Sequence, residues 1–200
     1  MEGGGDGAFH HRFEDAENWA KEFDNAERDE WQKPQEVLDA LRIDKGAIVA
    51  DIGAGTGYFA MRIARQAPQG RVYAVDVEPD MTRYLGERAK REGLPNLLAL
   101  LAQDDDAALP EPVDLALVVD TFHHIGHRAA YFTRLKSSLK DDARLVIIDF
   151  KADSPNGPPP QYRIPPEQAV QELAAAGYAL IEQPSFLPRQ YMLIFRKSAP

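Results

Sequence analysis

The stretch that most constrains the fold is Val49-Ala50-Asp51-Ile52-Gly53-Ala54-Gly55-Thr56-Gly57-Tyr58-Phe59. An apolar run ends in an acid, turns on three glycines at alternate positions, and leaves into a helical pattern. Glycine has no Cβ and tolerates positive φ, so such a turn lets a ligand lie directly on backbone. In open α/β sheets, ligands sit at the carboxyl ends of strands where strand order reverses. This turn is a candidate for that place.

The rest of the chain supplies the sheet. Ile48 to Ile52 reads as a buried strand, and Phe59, Ala60, Ile63, Ala64 and Ala67 as the apolar stripe of a helix. Arg71 to Asp76 is the next strand. Pro79 opens a helix with Met81, Leu85 and Ala89 inward, closed by Gly93-Leu94-Pro95. Leu97 to Leu101 and Val113 to Val119 are continuous apolar runs, the pattern of parallel strands covered on both faces. Phe132, Leu135 and Leu139 mark a further helix before the strand Arg144 to Phe150. Ser154 to Pro166 holds six of the fifteen prolines and reads as an extended loop. A helix carrying Val170, Leu173 and Ala174 follows, closed by Gly177. Two strands, Tyr178 to Glu182 and Gln190 to Arg196, then come in direct succession. Their connection is too short for a helical crossover, so the pair is antiparallel. The pattern predicts an α/β fold, a doubly wound, mostly parallel seven-stranded sheet with an antiparallel C-terminal pair.

Upstream, Met1 to Ala8 is glycine-rich and polar, and is expected to be poorly ordered. Ala16, Trp19, Ala20 and Phe23 share one helix face, and a second helix near Pro34 carries Val37, Leu38 and Leu41 inward. Between them Asp24 to Gln32 is highly charged yet holds Trp31. It reads first as a solvated connection and second as a flap over a site. Residues 1–42 are thus expected to form a helical lid segment and residues 43–200 a ligand-binding domain.

Composition removes several functions. The 23 basic and 32 acidic residues leave a formal charge of −9, and no Lys/Arg run exceeds two, so sequence-independent nucleic-acid binding is disfavoured. The chain has no cysteine, which removes disulfides, thiolate metal sites and cysteine nucleophiles together. Its apolar runs are too short to span a bilayer, and the N-terminus lacks a signal-peptide pattern. A cytoplasmic monomer or homodimer is expected, with no nucleic-acid or membrane partner.

Glycine spacing narrows the ligand. A dinucleotide turn needs Gly-x-Gly-x-x-Gly, and Tyr58 stands where its third glycine would be. No Gly-Lys-Ser/Thr follows, which excludes a P-loop. Asp-x-Gly-x-Gly-x-Gly instead resembles the nucleotide-binding turn of the class I S-adenosylmethionine-dependent methyltransferases; the alternative is a tight strand-to-helix turn with incidental glycines. The likeness runs from roughly Leu41 to Arg196 and implies that family's Rossmann-like sheet, with S-adenosyl-L-methionine as cofactor. It implies that Asp51, Gly53, Ala54, Gly55, Gly57 and Tyr58 surround the cofactor. Arg71 to Met81 resembles the family's second strand, whose terminal acid accepts both ribose hydroxyls. Asp76 occupies that position, with Val77 and Met81 beside it, and a carboxylate offers a diol two acceptor oxygens. Family members often carry an acid after the third strand that accepts from the adenine amino group. Anchoring on Leu109-Pro110 favours Asp105, and anchoring on the strand end favours Asp104. Asp120 and Thr121, after the fourth strand, are implied to contact the methionine end.

The acceptor is less legible. Asp120-Thr121-Phe122-His123 is not the Asn/Asp-Pro-Pro-Tyr/Phe signature of enzymes acting on exocyclic or amide nitrogens, which argues against DNA-adenine and glutamine substrates. His123, His124 and His127, three histidines in five residues, could bind a metal, but nothing elsewhere in the sequence supports such a site and none is expected. His123 and His124 are candidate general bases near neutral pH, while a packed or surface histidine is the plainer reading of His127. Leu145 to Phe150 resembles the fifth strand of a small-molecule branch that includes ubiquinone/menaquinone-type and arsenite methyltransferases. The latter bind and reduce arsenic through cysteines, so that activity is excluded on chemistry. The resemblance implies methyl transfer to a nucleophilic atom of a small molecule, beneath a lid built from Phe13–Gln32 and the Gln161-Tyr162-Arg163 loop. Arg163 reads as an anion receptor or as a solvated loop arginine. Two rivals are a non-catalytic S-adenosylmethionine-binding regulatory protein and a nicotinamide-dependent oxidoreductase.

Overall fold

A computed structural model of the protein describes residues 16–23 and 26–198. The Met1 to Ala8 stretch, the Phe13–Asp15 start of the expected lid, and Asp24 and Asn25 lie outside the described residues. Three helices lead in: α1 (Ala16–Phe23), α2 (Ala26–Gln32) and α3 (Pro34–Leu41). Strands and helices then alternate as β1 (Ile48–Ile52), α4 (Ala60–Gln66), β2 (Arg71–Asp76), α5 (Pro79–Arg91) and β3 (Leu97–Leu101). They continue as β4 (Val113–Val119), α6 (Arg128–Leu135), β5 (Leu139–Phe150), α7 (Pro166–Ala175), β6 (Tyr178–Glu182) and β7 (Gln190–Lys197).

The seven strands form one sheet in the order β3-β2-β1-β4-β5-β7-β6. Strands β1 to β5 pair in parallel, while β7 runs antiparallel to both β5 and β6. The expected architecture is present in full. Strand order reverses between β1 and β4, whose carboxyl ends meet at Ile52 opposite Val118. That is where a ligand crevice opens in such a sheet. Apolar side chains fill both layers. Val37, Leu41, Ile63 and Leu85 pack one face of the sheet, and Phe132, Leu135, Leu173 and Tyr178 the other.

Several sequence expectations need correction. β3 is not covered on both faces: it is an edge strand with Leu98 42% and Leu101 54% exposed. The connection from β3 to β4 carries no helix to shield it. Leu139 begins β5 rather than extending the preceding helix, and β5 starts five residues earlier than Arg144. After α6 the Ser137 hydroxyl donates to the Arg134 carbonyl at 2.9 Å, a local bond that competes with further helical turns. Phe59 and Ala67 flank α4 as its caps, although both are buried.

The proline-rich loop is organised from within. Arg163 donates to the carbonyls of Ala152 and Ser154, each at 2.8 Å, Pro158 at 2.9 Å and Asn156 at 3.2 Å. It is neither an anion receptor nor a solvated side chain; it staples the loop. Asp24 to Gln32 is likewise not a plain connection. Its described part is helical, and Gln32 is wholly buried.

Candidate active site

The crevice at the switch point is a cleft of ≈ 1260 Å³. Its floor is the turn after β1. The N–H groups of Gly53 and Ala54 both donate to the Val75 carbonyl, at 2.8 and 2.9 Å, which ties the turn to β2. Gly53 has φ 74°, and a Cβ there would come within 2.7 Å of the Thr121 Cβ. Only glycine lets the end of β4 approach so closely. Gly57 does a different job: a Cβ there would meet Leu85 at 2.9 Å and Met61 at 3.0 Å, so its missing side chain makes room for helix packing. Gly57 is not among the residues lining the cleft, whereas Asp51, Gly53, Ala54, Gly55 and Tyr58 are.

Asp76, at the carboxyl end of β2, is the second anchor. One carboxylate oxygen accepts from Gly55 N–H at 2.9 Å and the other from Glu78 N–H at 3.0 Å. Each oxygen keeps a further lone pair for a ligand. Burial pushes its carboxyl pKa up, while those two amide donors pull it down. Val77 and Met81 line the cleft beside it. Asp104 and Asp105 line the far wall, but Arg134 donates to the Asp105 carboxylate at 2.6 Å. That leaves Asp104 as the acid of the pair without this guanidinium.

The opposite end is acidic, with Asp51 buried and Asp120 half-buried. Asp51 is 3% exposed, and burial pushes its pKa up to about 7 despite an amide donor at Ala60 and the nearby Arg28 charge. Asp120 sits in a left-handed conformation, φ 55°, and burial raises its pKa as well. Three side chains converge on the Asp120 carboxylate: Arg28 Nη2 at 3.3 Å, Gln32 Nε2 at 3.2 Å, and Gln190 Nε2. Thr121 lines the cleft and donates to the Val119 carbonyl at 2.9 Å.

The histidines separate. His124 and His127 line the cleft, and His123 does not. His123 is buried with its Nδ1 2.9 Å from Asp149 Oδ1, and its backbone N–H donates to Oδ2 at 3.1 Å. An acid at this position fixes which imidazole nitrogen carries the proton. The His123 and His124 rings lie 4.2 Å apart. None of Gln161, Tyr162 and Arg163 lines the cleft. Among the described residues no group of three or more His, Asp or Glu is arranged to hold a metal ion.

Sequence reasoning missed Arg28, Gln32, Gln190, Asp149 and Arg134. Asp149 carried a signal, because an acid inside the apolar run Leu145 to Phe150 must find a buried partner. Gln32 and Gln190 carried none, since they meet only in three dimensions, with Gln32 donating to Gln190 at 2.9 Å.

Residues 50–145 match the family described as "Methyltransferase domain". A solved S-adenosylmethionine-dependent methyltransferase from Aquifex aeolicus superposes with a TM-score of 0.83 at 27% identity, covering 92% of this chain and 98% of that one. Malonyl-acyl-carrier-protein O-methyltransferase of Acetivibrio thermocellus is 26% identical over 133 residues, which are 66% of this chain and 46% of that protein. (S)-coclaurine N-methyltransferase of Thalictrum flavum subsp. glaucum is 26% identical over 109 residues, 54% of this chain and 30% of that protein. The chain thus spans less than half the length of these two curated relatives. The fold is thus the α/β Rossmann-like methyltransferase fold, and across its first four strands the chain is similar to S-adenosylmethionine-dependent methyltransferases.

Proposed function

We propose that the chain is a methyltransferase that uses S-adenosyl-L-methionine to methylate a nucleophilic atom of a small molecule. The observation that carries this reading is the pairing of the Gly53 turn with the Asp76 carboxylate, which keeps two acceptor positions open to the cleft. The acceptor set suits the cofactor: Asp76 for the ribose hydroxyls, Asp104 for the adenine amino group, Asp51 for the ammonium. The cleft, at ≈ 1260 Å³, exceeds the ~300–1,000 Å³ of a single small-ligand site, which leaves room for an acceptor beside the cofactor. The antiparallel β7 also departs from the all-parallel 3-2-1-4-5-6 order of dinucleotide-binding sheets, which speaks against the oxidoreductase rival.

When bound, the cofactor supplies a methyl group already activated on a sulfonium. The protein's part is alignment and exclusion of water, worth up to roughly 7–11 kcal/mol in the best intramolecular models. Residues 1–42 act as the lid of a domain formed by residues 43–200, with α2 as its described inner part. A base is needed only for an acceptor that arrives protonated, such as a phenol or an ammonium. His124 lines the cleft and is that base; His123, held by Asp149, packs against its ring and orients it. His124→Ala is expected to lower kcat for such acceptors by roughly 10²–10⁴ and to remove the acidic limb of the pH profile. An unchanged profile would take histidine out of the mechanism.

The two relatives carry O- and N-methyltransferase names, so they single out no acceptor atom. Among the described residues no helix is long and apolar enough to cross a membrane, and we place the protein in the cytoplasm as a monomer or homodimer. Incubation with methyl-labelled cofactor and fractionated metabolites should yield a labelled small molecule. Cofactor binding without a labelled product from any pool would favour a regulatory protein instead.

A further inference from the structure

The two edges of the sheet are built differently. At one, β6 breaks its ladder with β7 between Leu180 and Glu182, and Glu182 is paired with Arg42. Irregular pairing and edge charge are how native sheets discourage further strands. At the other edge β3 has neither. Its pairing with β2 runs unbroken from Val72 opposite Leu97 to Asp76 opposite Leu101, and its residues Leu97-Leu98-Ala99-Leu100-Leu101 are all apolar. Among the described residues no strand lies on its other side, and Leu98 and Leu101 are exposed.

The free side of β3 offers a row of backbone groups. The Asn96 carbonyl accepts from Val72 N–H and Ala102 N–H donates to the Asp76 carbonyl, each at 2.9 Å, so the even-numbered residues turn their amides toward β2. Ala99 and Leu101 therefore turn theirs outward. Leu97 N–H is taken by the Leu94 carbonyl at 3.2 Å, which leaves the Leu97 carbonyl on the same side.

The sequence of β3 reads the same in both directions. A two-fold axis through Ala99 thus sets Leu97 opposite Leu101 and Leu98 opposite Leu100 of a second copy. In that register outward amides meet outward amides, as a hydrogen-bonded antiparallel pair requires. Leu101 of each copy then stands beside the other's groove between α5 and β3, which measures ≈ 770 Å³ and is lined by Gly86, Leu94 and Leu97. Charge selects the direction. Lys90 and Arg91 end α5 shortly before β3, and Asp104, Asp105 and Asp106 follow it. Antiparallel pairing carries each basic turn toward the other copy's acidic one, whereas parallel pairing would set like against like.

We propose that β3 is the interface of a homodimer, antiparallel and centred on Ala99, in which two seven-stranded sheets join into one. The interface is independent of the ligand that the cleft takes.

Sedimentation velocity over about 1 to 300 µM tests it, since one strand pair with its flanks makes a small interface of micromolar affinity. Wild type should pass from monomer to dimer as concentration rises. Leu98→Lys, at an exposed position, should weaken the dimer at least about tenfold, because charges replace apolar contacts near the axis. Lys90→Glu combined with Arg91→Glu should weaken it by about three- to tenfold. Leu180→Lys on β6 should leave it unchanged. Register is read separately. The chain has no cysteine, so Ala99→Cys introduces a single thiol. Cα atoms of a hydrogen-bonded antiparallel pair lie about 5.5 Å apart, within disulfide reach. Oxidised glutathione should convert Ala99→Cys, and not Leu180→Cys, to a covalent dimer. Wild type monomeric at every concentration, a dimer untouched by Leu98→Lys, or one dissolved by Leu180→Lys would overturn the proposal. Should Leu98→Lys fail to fold, absence of the Ala99→Cys disulfide at dimer-forming concentrations would overturn it instead.

Discussion

Gly53→Ala is expected to lower the stability of the folded protein by about 3 kcal/mol or more, the sum of a left-handed backbone penalty and steric overlap. The backbone at Gly53 has φ 74°, and an added Cβ would overlap the Thr121 side chain, 2.7 Å from its Cβ and closer still to Oγ1. Thr121 has little freedom to withdraw, because its hydroxyl is bonded to the Val119 carbonyl at 2.9 Å. The turn must therefore lift off β4, and the bonds from Gly53 and Ala54 to Val75 go with it. At this chain length the melting temperature should fall by roughly 6–12 °C. Gly46→Ala is the control. Nothing lies within 4 Å of a Cβ there, and the same measurement should change by about 0.5 kcal/mol or less. Urea midpoints for both variants check the pair. Equal midpoints would mean that the close approach of β1 and β4 is not what demands glycine.

Asp51→Asn should act in the opposite direction, by an amount that grows from about pH 4 to about pH 7 and is full above it. Burial raises the Asp51 pKa from 3.8 to about 7, so between those values the native state holds a proton that the unfolded chain has released. Stability contributed by this group is full below about pH 4, falls as pH rises toward 7, and stays low above it. The penalty at pH 8 is of the order of a few kcal/mol, at 1.36 kcal/mol per pKa unit. Asparagine carries no such penalty. The stability difference between variant and wild type should thus be near zero at pH 4 and favour the variant by a few kcal/mol at pH 8. A difference that does not change with pH would show that Asp51 titrates normally. The same burial gives the acid a purpose: a cationic ligand group entering the cleft would favour the ionised form that folding alone disfavours.

The fold was legible because its signals are local. Parallel strands covered on both faces read as apolar runs, as in Val113 to Val119, and the glycines at 53, 55 and 57 mark a turn that few other folds need. The antiparallel end followed from connection length alone. What misled was information held elsewhere in the chain. Leu97 to Leu101 looks like an interior strand, and only the lack of a helix between β3 and β4 exposes it. The Asp51 and Asp76 side of the cleft was legible in the same way, since both acids stand at strand ends that the pattern fixes. Its lid was not. Arg28 and Gln32 on α2 and Gln190 on β7 lie far in sequence from their shared target, Asp120, which gives no hint of the three donors that meet it. Arg163 was misread for a related reason, because its partners are backbone carbonyls, which leave no trace in residue types.

In our proposal the Gly53 turn and Asp76 hold the nucleoside of S-adenosylmethionine. Calorimetric titration of wild type and Asp76→Ala with S-adenosylhomocysteine, and separately with NADH and NADPH, tests it most directly. Wild type should bind the thioether, the alanine variant should bind it at least about tenfold more weakly, as loss of charged hydrogen bonds requires, and neither nicotinamide cofactor should bind. Binding of NADH or NADPH with no heat from S-adenosylhomocysteine would contradict the account.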